Sequence, residues 1–372
     1  MNILEVLAST PSEVGGIENV VFNLSTQMIK LGHRVTVMVP YKRSSMWSAP
    51  RGTRIKHIPT FGINSRFEAP LSFKSIRKEL EVQDVCHIHS IHSLFSLLTL
   101  QMGRISSCAM VASILSLFGL MKHPNRLMRI CLMPIEAGAV LSLKALRCVH
   151  VKNREDLFYL TRLHCNVYYI PDGIPDAYFT TPAKPNALHD LVDRRGEMLL
   201  YVGRLHPMKG VHILLRALKL VLKANPDVYL VIIGEGEIRY KAMITDLINQ
   251  LDLRRDVVML GWQPEEVKIM AYDAARVVVI PSIADIVEAF SLVASEAWAR
   301  GKPVAASAVG ALKVRVKPGL NGYLAYPSDP LSLAQSIGDC MRLKEVVSPE
   351  DVVKWSQVAL EFEKMYEEAL DE

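Results

Sequence analysis

The chain has 372 residues, 50% hydrophobic and 22% charged, which excludes a disordered protein and suits two domains, each with its own core. Its 6 cysteines form no CxxC pair, which argues against a disulfide framework or a cysteine zinc site and predicts reduced, mostly buried thiols. The net charge of +5 is uneven: residues 1–172 hold 20 Lys+Arg against 11 Asp+Glu, residues 173–372 hold 23 against 27. A basic first half predicts contact with an anionic lipid surface or a phosphorylated acceptor, or else a solvated face; no nucleic-acid motif accompanies it.

In chain order, Asn2–Ala8 reads as a strand, Ser9–Gly16 as a loop and Ile17–Leu31 as an amphipathic helix with Ile17, Val20, Val21, Leu24, Met28 and Leu31 on one face. The opening segment lacks the marks of a signal peptide, and the longest apolar run, Met128–Leu143, is interrupted by Glu136. The expectation is a cytoplasmic protein, with peripheral attachment to the inner face of a membrane. Val35–Val39, Asp84–His89, Ala109–Leu115, Cys148–Val151 and Val167–Ile170 read as strands, and the Pro/Gly-rich stretch 170–185 as a linker. Beyond it the pattern restarts: strand Met198–Val202, loop Gly203–Gly210, helix Val211–Lys223 and strand Val228–Ile233. This alternation predicts an α/β protein of two facing Rossmann-like domains with parallel sheets. Residues 1–172 form the first and 173–355 the second. A charged amphipathic helix, Trp355–Leu370, is able to pack back on the first domain, so that 356–372 return to it.

Two segments carry ligand-type residues in the second half. Glu288 and Glu296 bracket EAFSLVASE between a strand and a helix stop. Unpaired N–H groups at a helix start suit a diphosphate, and two carboxylates about 12 Å apart along a helix suit the hydroxyls of a sugar and a ribose. The alternative is a helix with two solvated acids. In VGRLHPMKG, Gly203 permits close backbone approach, and Arg204 and Lys209 supply cations beside a helix start, where the macrodipole disfavours them without an anion. In the first half, Gly15 and Gly16 precede a helix, as a ligand loop or an ordinary turn would. No GxGxxG or Walker motif occurs, and the acids of GEGE would repel a pyrophosphate, which disfavours a nicotinamide dehydrogenase. In HIHSIH, His87 and His89 share one strand face with His92 beyond. Metal binding, an acceptor contact and plain packing all remain open there, although no carboxylate or thiol nearby in sequence is placed to complete a ligand set.

With VGRLHPMKG, the run from Pro281 through EAFSLVASEAWARGKPV, and GGIE in this order, the chain resembles the family 4 (group 1) retaining glycosyltransferases of GT-B architecture. The resemblance implies that Gly15 and Gly16 approach the donor from the first, acceptor-binding domain. Arg204 and Lys209 would bind the diphosphate, Glu288 the transferred sugar and Glu296 the ribose. Backbone groups of Phe290, Ser291 and Leu292 would approach the phosphates. Three departures stand out. Ala289 and Ser291 replace two glycines, Leu115 and Ser116 stand where a histidine is usual, with His89 as the candidate substitute, and Val314 replaces an acid. The implied activity is metal-independent, retaining transfer of a hexose from a nucleotide-diphosphate sugar, a substrate and not a cofactor, by front-face return. The acceptor hydroxyl would belong to a lipid, a lipid-linked glycan or a polysaccharide precursor. The alternatives are a nucleotide-sugar epimerase on the same fold and a catalytically degenerate binding subunit.

Overall fold

The computed structural model describes residues 1–7, 16–41, 49–62, 67–114, 117, 121, 126–163, 166–183, 188 and 192–371. Gly15, Leu115, Ser116 and parts of the expected linker lie outside the described residues. The chain divides into two compact units, Met1–Pro175 with Val353–Glu372, and Asp176–Val352.

The first unit holds β1 (Asn2–Leu7), β2 (Arg34–Tyr41), β3 (Arg54–Phe61), β4 (Ala69–Pro70), β5 (Val85–His89), β6 (Ala109–Ile114), β7 (Cys148–Val151) and β8 (Val167–Tyr169). Their order in the sheet is β4-β3-β2-β1-β5-β6-β7-β8, parallel except for the β3–β4 pair. The helices α1 (Gly16–Lys30), α2 (Phe73–Leu80), α3 (Leu94–Gly103), α4 (Arg126–Ser142) and α5 (Arg154–Leu160) connect them. The sequence pattern assigned no element between Val39 and Asp84. The reason is visible in β3, a strand near the sheet edge in which only Ile58 is buried, so alternation leaves little trace. Central strands β5 and β6 are buried at every position; β6 reads as a nearly apolar run, whereas β5 carries His87 and His89.

The second unit is a six-stranded, wholly parallel sheet. Its strands are β9 (Glu197–Val202), β10 (Val228–Ile233), β11 (Val257–Gly261), β12 (Ala275–Ile280), β13 (Val304–Ser307) and β14 (Gly322–Ala325), in the order β11-β10-β9-β12-β13-β14. Five longer helices join them: α6 (Val211–Ala224), α7 (Ile238–Gln250), α8 (Glu265–Ala274), α9 (Leu292–Ala299) and α10 (Pro330–Arg342). The apolar face of α6, with Val211, Leu214, Leu218 and Val221, closes the core over Leu199, Leu230 and Val277.

The last helix, α11 (Trp355–Asp371), belongs to the first unit. It buries Trp355, Val358, Phe362, Met365 and Tyr366 in one core with Val21, Leu24 and Met28 of α1. Its return begins two residues before the helix, where Ile174 and Val353 share a backbone hydrogen bond.

Candidate active site

In the second unit the strand order reverses between β9 and β12, so the loops leaving their carboxyl ends are neighbours. Gly203–Gly210 leaves β9 and Pro281–Ser291 leaves β12. They are tied directly, since Ile283 N–H donates to the Met208 carbonyl at 3.0 Å. Gly210 is left-handed, at φ 71°, and a Cβ there would lie 1.9 Å from the Pro281 carbonyl oxygen, so only glycine permits this approach.

The contact brings Lys209 to Glu288. Lys209 Nζ donates to Glu288 Oε1 at 2.8 Å and to the Val287 carbonyl at 3.2 Å, while Ser282 Oγ donates to the same carboxylate oxygen at 2.6 Å. Glu288 is buried, and the pair oriented this way offers one cation and one carboxylate at the switch point. Arg204 lies on the same loop and is exposed; among the described residues its guanidinium makes no hydrogen bond or ion pair. The backbone beside it is held, because Tyr201 OH donates to the Arg204 carbonyl at 2.8 Å. Gly203 belongs to a different contact. Its carbonyl meets Gly234 of the GEGE segment, so those glycines serve close packing of two loops.

The α9 helix begins only at Leu292, so residues 288 to 296 are not one helix and the expected helical separation of the two glutamates does not apply. The 288–291 stretch is irregular, and Ser291 takes a left-handed conformation at φ 72° where the family pattern has glycine. Its buried Oγ has no partner among the described residues, nor have the Leu292 and Val293 N–H groups that open the helix. Phe290 is buried, so only its backbone faces the turn. Arg315, which the sequence reading missed, holds that turn. Its guanidinium covers the Phe290 ring at 3.8 Å, donates to the Phe290 carbonyl at 2.7 Å and forks onto Asp351 at 2.8 and 3.0 Å. A buried arginine in KVRVKPG has no sequence signature, whereas Val314 beside it is exposed.

Glu296 sits one turn into α9 and is also buried, accepting from Tyr272 OH at 2.5 Å. Burial raises its pKa, opposed by Lys268 and the tyrosine hydroxyl. The carboxylate pair is thus unequal, with Glu288 beside Lys209 and Glu296 bonded to Tyr272.

In the first unit Gly16 opens α1 in open space, for a Cβ there would meet nothing within 4 Å. The three histidines do not present free rings. His89 is 2% exposed and its Nε2 is bonded to Glu5 of β1; burial lowers its pKa to about 3. It is therefore no exposed substitute for the histidine expected near residue 115. The expectation that no carboxylate is placed to complete a ligand set with the HIHSIH pair is also corrected, since Glu5 comes from the adjacent strand. Glu5, His87 and His89 lie close enough to share a metal ion. Both His87 nitrogens are nevertheless engaged, at 2.7 Å from Tyr366 OH and 2.7 Å from Ser113 Oγ. His92 lies 3.3 Å from Glu136.

Residues 14–178 match the model of glycosyltransferase family 4, and residues 190–356 that of the group 1 glycosyl transferases. An uncharacterized glycosyltransferase of Methanocaldococcus jannaschii is 35% identical over 184 residues, 47% of this chain and 46% of that one. The matched region thus spans about half the length of this relative. Among solved structures, sucrose-phosphate synthase of Thermosynechococcus elongatus superposes with a TM-score of 0.76 at 21% identity, over 99% of this chain and 98% of that chain. HepE of Anabaena in complex with UDP-glucose gives 0.70 at 18% identity, over 100% and 98%. These likenesses establish the fold. With both family models matched in order along it, the chain belongs to the family 4, group 1 glycosyltransferases and has their GT-B architecture of two Rossmann-like domains.

Proposed function

We propose that the protein transfers a hexose, with retention, from a nucleotide-diphosphate sugar to a hydroxyl of a lipid, a lipid-linked glycan or a polysaccharide precursor. The observation that carries this reading is the Lys209–Glu288 pair at the switch point, flanked by the exposed Arg204 and the open start of α9. In this reading the α9 N–H groups and Arg204 take the diphosphate, Lys209 bridges it to Glu288, and Glu288 accepts from a sugar hydroxyl. Gly15 and Gly16 are assigned to donor approach on the family resemblance, and Glu296, held by Tyr272, acts toward the ribose. The acceptor oxygen bonds to the anomeric carbon as the sugar–diphosphate bond breaks on the same face. The departing phosphate oxygen takes the acceptor proton. Stabilisation of that oxygen by fixed donors is the main catalytic contribution, and no step is assigned to a metal. The UDP-glucose complex of HepE supports a uridine donor as the first to test.

Thermal-shift titration with UDP-, GDP- and ADP-sugars, followed by radiolabel transfer, tests the reading. Arg204→Ala is expected to lower kcat by roughly 10²- to 10³-fold, as loss of one preorganised donor does elsewhere. A change below threefold with an authentic donor would remove Arg204 from the mechanism. Epimerisation of donor alone would mark an epimerase, and nucleotide binding without transfer a binding subunit.

A further inference from the structure

The helices α2, α3 and α4 lie side by side over one face of the first sheet, α3 packing against both others. Their inner sides place Ile76, Leu80, Phe95, Leu100 and Ala139 in one core. The acidic residues within these helices are turned inward. Glu79 is held by Arg54 and, at 3.0 Å, by Gln83, and Glu136 faces His92. Glu136 interrupts the apolar run in sequence but not on the surface. The outer side of α4 therefore exposes Leu127, Ile130, Met133 and Leu141, at 68, 64, 55 and 77%, on one helical face. So large an apolar strip on one helix needs an occupant.

A second observation points to the nature of that occupant. The surface between α2 and α3 forms a groove with Phe73, Met102 and Ile105 as apolar lining and Lys74, Arg77 and Lys78 as cations. The one acid in it, Glu81, is paired with Arg77 at 2.9 Å. Arg104 and Arg126 are exposed on the same layer. A protein helix would match the apolar strip but leave the cations unmatched. An anionic bilayer supplies both requirements, with phosphates at headgroup level and acyl chains just beneath.

We propose that the α2–α3–α4 layer is a docking surface for bilayers containing anionic phospholipid. Leu127, Ile130, Met133 and Leu141 enter the headgroup–acyl boundary, and Lys74 and Lys78 hold lipid phosphates. The inference extends the membrane-borne acceptor of the proposed function, and the two fail separately. Co-flotation of the full chain with phosphatidylcholine vesicles, with and without phosphatidylglycerol, reads the surface. Binding is expected only with phosphatidylglycerol and to weaken as salt rises. Ile130→Asp/Met133→Asp and, separately, Lys74→Glu/Lys78→Glu are each expected to lower it at least tenfold, at unchanged circular dichroism and unchanged donor-induced thermal shift. Vesicle binding by folded variants equal to wild type would overturn the surface, as would wild type that binds neither vesicle. An Ile130→Asp change that converts a dimer to a monomer by light scattering while vesicle binding persists would assign the strip to a second copy instead. Organic extraction of labelled product from incubations with a total lipid extract reads the acceptor. Label found only on water-soluble material would remove the lipid acceptor and leave the surface standing.

Discussion

Glu288 is positioned by its own backbone as much as by its ion pair. Its carbonyl accepts from Ala311 N–H at 2.8 Å, and a Cβ on left-handed Gly310 would come within 2.2 Å of that oxygen. Gly310→Ala is therefore expected to shift the 288 backbone, cost about 1–3 kcal/mol in urea unfolding and raise the donor KM at least tenfold. An unchanged KM with an intact fold would detach Glu288 from the donor. Ser291 gives the opposite expectation. It pairs a left-handed backbone with a buried hydroxyl that lacks a partner among the described residues, so Ser291→Gly should stabilise the second unit by about 1 kcal/mol. A loss of stability would reveal a bonded hydroxyl. The position was legible in sequence as a replaced glycine, because EAFS departs from a glycine pattern. Persistence of the glycine-type backbone angle was not, because φ is set by the Arg315 anchor at the neighbouring carbonyls.

At the level of elements, α11 shows how a legible helix acquires an illegible role. Its apolar spacing announced an amphipathic helix, but its polar member Tyr366 reaches into a buried chain of hydrogen bonds. The Ile170 carbonyl can only accept, so His150 donates through Nε2, 2.7 Å away, and accepts from Ser113 at Nδ1. Ser113 then accepts from His87 Nε2, and His87 Nδ1 accepts from Tyr366 OH at 2.7 Å, the shorter contact of that hydroxyl, which also lies 3.3 Å from Glu5 Oε1. The order of protons along β5, β6 and β7 is thereby set by one carbonyl at one end and one helix hydroxyl at the other. Tyr366→Phe leaves His87 Nδ1 buried without a donor and is expected to cost about 1–3 kcal/mol of first-unit stability, measured by chemical unfolding. A cost below about 0.5 kcal/mol would mean the chain tolerates reversal.

For the whole molecule, the same buried groups set the response to pH. Burial lowers the pKa of His150 to about 4 and of His89 to about 3, and drives His87 well down, helped by its neighbour His89. Each is neutral in the fold and charges more readily when unfolded, so each adds stability as pH rises toward about 6.5; for His150 and His89 the gain between pH 5 and 6.5 is about 1–2 kcal/mol each. Glu5 acts in the opposite sense. Burial raises its pKa to about 7, so its contribution falls as pH rises from 4.5 to that value. Three buried imidazoles against two buried carboxyls, Glu5 and Glu296, leave a net loss on acidification, and thermal unfolding at pH 5 is expected several degrees below that at pH 6.5. An equal or higher midpoint at pH 5 would mean that the imidazoles are charged in the native state.

The chain by itself determined the strand–helix alternation, the restart after residue 185 and the two loops of the candidate site. Such features are written in local periodicity and in glycine and cation placement, which survive without knowledge of neighbours. Tertiary structure alone decided what those residues touch. It joined Lys209 to Glu288 across 79 positions, turned Glu136 inward so that α4 keeps an apolar outer face, and set Glu5 beside His89. Pairing of parallel strands depends on long connections whose register no local pattern records, so partners distant in sequence become visible only when the sheet is assembled.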